Sequence, residues 1–228
     1  MTFRVLILGG TGQVGAAVVR ALAAEPECAE VVMVCRKERA QPPGSRARQV
    51  VMDTASPGFA AAIAELARST AEAGDPVLGV SCVGVGQGSM QWTEEALKAL
   101  ELGVVGAFAS GCHDGGVRRF ALLSAAGSDP ASRIRYARVM GLKEARVRSV
   151  GFDRLALLRP GVIAGNAHTP GYAAWLGRLI PGRYGTIDQD EIAGAFVAEL
   201  KAPGDGGVEV LENGAMRARA RALRQASA

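Results

Sequence analysis

Between an apolar run, Phe3–Leu8, and a stretch, Gln13–Ala24, whose apolar residues recur at helical spacing until Pro26, stands the segment Gly9-Gly10-Thr11-Gly12-Gln13-Val14-Gly15. Strand, glycine turn and helix follow in that order. The segment satisfies G-x-G-x-x-G from Gly10 and G-x-x-G-x-x-G from Gly9. Each glycine answers a separate need. The turn tightens at the first, a pyrophosphate can approach the main chain at Gly12, and the helix can pack on the strand at Gly15. The helix N-terminus then faces the phosphates. The loop, from Gly9 and Gly10 through Thr11, Gly12, Gln13 and Val14 to Gly15, is therefore expected to hold a dinucleotide.

The same alternation recurs along the chain. Apolar runs at 30–35, 49–52, 77–83, 119–124 and 155–158 suit strands buried on both faces. Helical patterns at 59–73, 93–110 and 132–150 are long enough to cross between parallel strands. The expected fold class is α/β: a Rossmann-type doubly wound parallel sheet with helices on both faces, a single domain over residues 1–228. After the sixth strand the rhythm breaks into a Gly- and Pro-rich segment, 161–187, before a helix opened by Asp188 with Glu191 three residues on. A last short strand is expected at 208–211, and 166–228 should contribute a small C-terminal, substrate-side lobe and a basic tail.

Composition narrows the class. With 49% hydrophobic and 21% charged residues the chain is not disordered, and no apolar stretch approaches the roughly 20 residues of a membrane-spanning helix. The net charge of +4 belongs to Arg217, Arg219, Arg221 and Arg224, because the residues up to Gly214 sum to zero. Such an end reads as solvated, and nucleic acid is not an expected partner. Cys28, Cys35, Cys82 and Cys112 lie far apart without a C-x-x-C pair, so neither a disulfide framework nor a metal site is expected. The first apolar run is short and leads into glycines rather than a cleavage site, which reads as a core strand and places the chain in the cytoplasm. The expected partner is a small-molecule substrate, with no membrane; a homodimer is compatible with the pattern.

The choice of dinucleotide turns on the end of strand two. An acid there would hold the 2′-hydroxyl of NAD, but the sequence has Arg36 followed by Lys37. Two cations suit a dianionic 2′-phosphate, so NADP(H) is the expected cofactor, with NAD(H) second. The rule that ligands lie at strand carboxyl ends adds Asp53, for an adenine amino group or as the cap of a turn with Thr54, and Ser81, Cys82, Val83 and Gly84 near the middle of the cofactor.

GGTGQVG, an SAAG segment after strand five, Tyr136 downstream and LRPGVIAG after strand six together resemble the atypical short-chain dehydrogenase/reductase superfamily over nearly the whole chain. The likeness is greatest to the NAD(P)H-binding branch with Tat-interacting-protein-like oxidoreductases and NmrA-like regulators. The resemblance implies that Ser124 polarises a carbonyl and Tyr136 transfers a proton. It also implies that Pro160 and Gly161 turn against the nicotinamide, where Ile163 supplies an apolar wall. A lysine four residues after the tyrosine should bind the ribose and lower the tyrosine pKa. Here that position is Met140.

The substitution matters because an unperturbed tyrosine, with a pKa of about 10, is phenolate to only about one part in a thousand at neutral pH. Lys143 shares a helical face with Tyr136 but lies about 10 Å further along the axis, an imperfect substitute. Arg159, at the end of strand six, is a second source of positive field. Carbonyl reduction consumes a proton, which neutral Tyr136 can give, so the sequence favours reduction of a small carbonyl or quinone-like compound over alcohol oxidation. The rival expectation is a cofactor-occupied sensor or interaction protein with weak catalysis. Cys112-His113-Asp114 precedes a strand and so falls at the wrong end of the sheet for a site, and His168 is placed in the variable segment.

Overall fold

A computed structural model describes residues 2–40, 46–71, 74–85, 91–164, 182–204 and 206–226. Its centre is a seven-stranded sheet built from β1 (Phe3–Leu8), β2 (Cys28–Cys35), β3 (Ala47–Val51), β4 (Val77–Ser81), β5 (Arg119–Leu123), β6 (Arg154–Arg159) and β9 (Gly207–Glu212), in the order β3-β2-β1-β4-β5-β6-β9. Every pairing is parallel. The order runs outward one way from β1 to β3 and the other way from β4, so the switch point lies between β1 and β4, where a doubly wound sheet opens a crevice at its carboxyl edge. Two further strands, β7 (Val162–Ala164) and β8 (Thr186–Asp188), form a separate parallel pair.

Strand periodicity builds two cores. Val5 and Ile7 point to one face with Val14, Val18 and Leu22 of α1 (Gln13–Ala24) and Ile192 and Phe196 of α6 (Gln189–Lys201). Leu6 and Leu8 point to the other, against Phe59 and Ile63 of α2 (Phe59–Thr70) and Phe108 of α4 (Val105–Asp114). Both faces being covered explains why the strands read as continuous apolar runs rather than alternating ones.

Between β4 and β5 the chain forms α3 (Glu94–Lys98), a π-helical stretch Ala99–Val104 and α4 in succession. The sequence pattern gave one uninterrupted helix there. Helix α5 (Arg135–Arg148) carries Tyr136, Met140 and Lys143. Asp188 opens α6 through the expected capping box, its own N–H donating to Glu191 Oε2 at 3.3 Å.

The C-terminal part differs from expectation. The arginine-rich end is helix α7 (Asn213–Ala226), docked through buried Met216 and Ala220. Arg219 reaches Glu199 at 2.7 Å and Glu209 at 2.6 Å, and Arg217 reaches Glu191 at 3.2 Å, so these two also bind the protein's own acids, while Arg221 and Arg224 are exposed. Alternating apolar and basic residues hid an amphipathic helix. Within 182–226, β9 joins the main sheet and α6 packs on the α1 face, while β8 pairs with β7 apart from that sheet. Residues 165–181, including His168, lie outside the described residues. The Cys112-His113-Asp114 triplet ends α4 at the amino edge of the sheet, with Cys112 buried and the His113 ring edge-on to Phe152 at 5.6 Å.

Candidate functional site: a crevice at the β1–β4 switch point

Beyond Leu8 the chain turns at Gly9 with φ +83°, a left-handed conformation that side chains disfavour. A Cβ there would also come within 2.8 Å of the Cys82 and Val83 backbone, so the turn lies against the end of β4. The Gly12 N–H donates to Gly9 O at 3.1 Å, and the Ala16 N–H begins α1 by donating to Gly12 O at 2.7 Å. At Gly15 a Cβ would fall 2.0 Å from Gly9 O: loop and helix touch main chain to main chain. At Gly12 a Cβ would meet only Gly9 O, at 3.4 Å, and otherwise open space. No side chain caps α1. The positive end of the helix therefore opens onto the crevice beside a bare main chain, a cradle that fits a diphosphate.

Three adjoining clefts share Thr11. One, of about 380 Å³, is lined otherwise by Cys35, Arg36, Lys37 and Arg39, three cations and no carboxylate. A second, of about 270 Å³, runs over Gly9 and Gly12 between Arg36, Thr54 and Trp92. The third, of about 400 Å³, is the reactive corner. It brings together Thr11, Gly12, Gln13 and Val14 of the loop, Cys82 and Val83 after β4, Ser124 after β5, Tyr136 and Lys143 of α5, and Ile163 of β7. A larger cavity, of about 500 Å³, lies at the opposite, amino edge of the sheet around Phe3, Pro76 and Arg119, remote from these groups.

Several expected residues stand elsewhere. Gly10 and Gly15 are packed into the loop and line none of the three clefts. Asp53 is exposed, and its Oδ1 accepts from the Ala55 N–H at 2.9 Å: the turn-capping alternative is the one adopted, and neighbouring Thr54 lines the cleft instead. Ser81 is wholly buried within β4. Pro160 is buried, its carbonyl accepting from the Ala126 N–H at 2.9 Å. The Gly161 N–H donates to Asn213 Oδ1 at 3.0 Å, and a Cβ on Gly161 would lie 2.5 Å from Gly185 O. Glycine's small size brings two segments of this chain together there.

Around the reactive corner, Ser124 Oγ donates to Glu144 Oε1 at 2.5 Å and lies 3.0 Å from Ser128 Oγ. Glu144 in turn accepts from Arg159 Nε at 2.8 Å and Nη2 at 2.5 Å, a bidentate pair. At rest, then, Ser124 turns its proton away from any carbonyl in the cleft. Lys143 is 1% exposed, and its Nζ donates to Glu101 Oε2 at 2.8 Å and Leu123 O at 2.9 Å. Met140 is buried with Val139 and Leu97 in a small apolar cluster against which the Tyr136 ring packs. Burial pushes the Tyr136 phenol well above the usual tyrosine range, and the negative charge of Glu101 adds to the shift. Burial likewise raises the Cys82 thiol, against a smaller opposing pull from Lys143.

Glu101 and Glu144 were missed from sequence. A signal for the first was present: Glu101 is the single charged residue between Ala99 and Ser110. Glu144, among the arginines of α5, looked like an ordinary surface acid.

No family model matches the chain. It is 30% identical to the protein fmp52, mitochondrial, of Aspergillus fumigatus over 212 residues, 87% of each chain. It is 34% identical to the protein HTATIP2 of Rattus norvegicus over 112 residues, 45% of each. Among solved structures, the oxidoreductase ylbE from Lactococcus lactis superposes with a TM-score of 0.68 at 16% identity, covering 98% of this chain and 97% of that one. The Bordetella bronchiseptica enzyme WbmG, solved in complex with NAD, superposes with a TM-score of 0.67 at 15% identity, covering 100% and 79%. The fmp52 relatives of Aspergillus fumigatus, Emericella nidulans and Coccidioides immitis are all named as mitochondrial, which overturns the cytoplasmic expectation drawn from the first residues. The relatives agree with the SAAG and LRPGVIAG resemblance: this chain belongs to the atypical short-chain dehydrogenase/reductase superfamily, in the NAD(P)-binding branch that includes fmp52 and HTATIP2.

Proposed function

We propose that the chain is an NADP(H)-dependent oxidoreductase that reduces a small carbonyl or quinone-like compound. The observation that carries this reading is the union of the glycine loop, Ser124 and Tyr136 in one cleft of about 400 Å³. The loop and the α1 N-terminus would hold the diphosphate, as the complex of the structural neighbour with NAD encourages. Arg36, Lys37 and Arg39, with no acid lining their cleft, support a 2′-phosphate and hence NADP(H) over NAD(H). Bound, the nicotinamide supplies hydride.

The chain's own residues do the rest. Tyr136, held protonated by its surroundings, donates a proton to the reduced oxygen. Lys143 takes over, from one helical turn beyond Met140, the cation of the family pattern. It faces the cleft with a third N–H that has no protein partner among the described residues, available to a ribose hydroxyl. Met140, Val85 and Ile163 give the corner an apolar wall that suits an uncharged substrate. Ser124 must rotate its proton off Glu144 before it can polarise a carbonyl.

That last feature favours a second reading, a cofactor-binding sensor with weak catalysis. NADPH oxidation followed with a panel of aldehydes, ketones and quinones separates the two. The enzyme reading expects turnover that Tyr136→Phe destroys. Tight NADPH binding without turnover in either protein supports the sensor.

A further inference from the structure

The reactive corner has a carboxylic side chain beside it that is outside the family's serine, tyrosine and lysine. Glu101 lies in the π-helical stretch, is fully buried, and faces Lys143 across 2.8 Å. Its Oε1 has no hydrogen-bond partner among the described residues, and a Cβ on Gly84, in the wall of the same cleft, would lie 3.9 Å from it. Lys143 is tied a second time, to Leu123 O at 2.9 Å, next to Ser124. An ammonium held in this way differs from the lone cation of the family pattern.

We propose that Glu101 is a positioning residue that clamps the Lys143 ammonium at the wall of the cleft and offsets its field, so that Tyr136 works as a neutral proton donor. The inference rests on reading Tyr136 as the donor.

The other charges nearby are internally compensated. From α3, Glu94 pairs with Lys98 at 2.7 Å and with Arg138 of α5 at 2.9 Å. From α5, Glu144 pairs with Arg159 of β6. After β4, Cys82 stays neutral through burial. Among the described residues packed around Tyr136, the Glu101–Lys143 pair is the one with both charges at least 99% buried, where water screens least. Removing one partner therefore changes the field at the phenol more than any substitution at the rim.

Glu101→Gln tests this, because it keeps the shape and an oxygen acceptor for Lys143 while deleting the negative charge. An ultraviolet titration of phenolate in the unliganded protein, with Glu101→Gln/Tyr136→Phe identifying the signal, is expected to show Tyr136 ionising at least about one pH unit lower than in wild type, tenfold more phenolate at a given pH. In the coupled assay the alkaline limb of reduction should move down by the same unit or more, because a phenolate has no proton to give. Should Glu101→Gln not fold, Glu101→Gln/Lys143→Met removes both charges and is expected to leave the Tyr136 titration where wild type has it. An unmoved titration in Glu101→Gln, or a shift of about one unit or more in the double variant, overturns the inference. The titration needs neither cofactor nor substrate, so failure of the reductase reading appears separately, as absent turnover with the titration shift intact.

Discussion

Around Gly9 to Gly15 the decisive contacts are main chain against main chain. A Gly15 Cβ would collide with Gly9 O at 2.0 Å, and the Gly12 N–H reaches Gly9 O at 3.1 Å. Around Tyr136 they are side-chain charges against one another, Lys143 on Glu101 at 2.8 Å and Arg159 on Glu144 at 2.5 Å. The first region has no room for a side chain at Gly9 or Gly15, where main chain meets main chain. The second can be rewired. Losing the lysine at Met140 leaves a site in which a cation arrives from the next turn with its own counter-charge. On the proposed reading, the cradle for the cofactor and the charges around the proton donor are separable in this fold.

The contrast can be broken most forcefully at Gly15. Gly15→Ala places a methyl inside the van der Waals radius of Gly9 O, and should cost about 3 kcal/mol or more in stability and abolish nucleotide binding. A melting curve showing a stable variant with normal affinity would remove the main-chain half of the comparison. At the other end, Tyr136→Phe should lower turnover by about 100-fold or more while leaving NADPH affinity within about twofold, since the hydroxyl acts on the proton and not on the cradle. Loss of affinity in that variant would mean that the two regions are not separable.

Arg36→Ala sharpens the middle of the crevice. Losing a charge-assisted bond to the 2′-phosphate, about 1.5–3 kcal/mol, should weaken NADPH about tenfold to 100-fold and leave NADH unchanged. Thermal shifts with each nucleotide read this directly, and an equal loss for both would defeat the 2′-phosphate assignment. The smallest expected effect concerns pH. Because the folded-state pKa of Tyr136 is raised, the folded protein holds that proton where the unfolded chain releases it. Its contribution to stability is thus complete below about pH 10 and declines as pH rises above that, and reduction should show no alkaline limb from this residue below about pH 10. A limb near neutrality would place an exposed cation at the phenol.

Legibility followed the same divide. The strand–loop–helix unit and the parallel sheet could be read from local pattern, because strands buried on both faces and glycines in a turn leave local marks, whereas the cleft residues Ser124, Tyr136 and Ile163 came from the family resemblance. The Glu101–Lys143 pair spans 42 residues of sequence and Ser124–Glu144 spans 20, so no local pattern joins them. Asp53 left two readings open because a carboxylate two residues before an amide caps a turn as readily as it meets a ligand. The contact at Gly161 was not legible because a close approach of two chain segments needs the same absence of Cβ as an approach of chain to cofactor. Helix α7 was hidden because four arginines dominate the average polarity while Met216 and Ala220 carry the packing.

The most direct test is a calorimetric titration of NADPH into wild type and Gly12→Ala, since a methyl at Gly12 would point into open crevice and leave the fold alone. Micromolar or tighter binding by wild type, roughly −8 kcal/mol, weakened at least about tenfold in a variant with an unchanged melting temperature, is the result expected of a main-chain diphosphate cradle. No heat with wild type, or equal affinity in the two proteins, would contradict it.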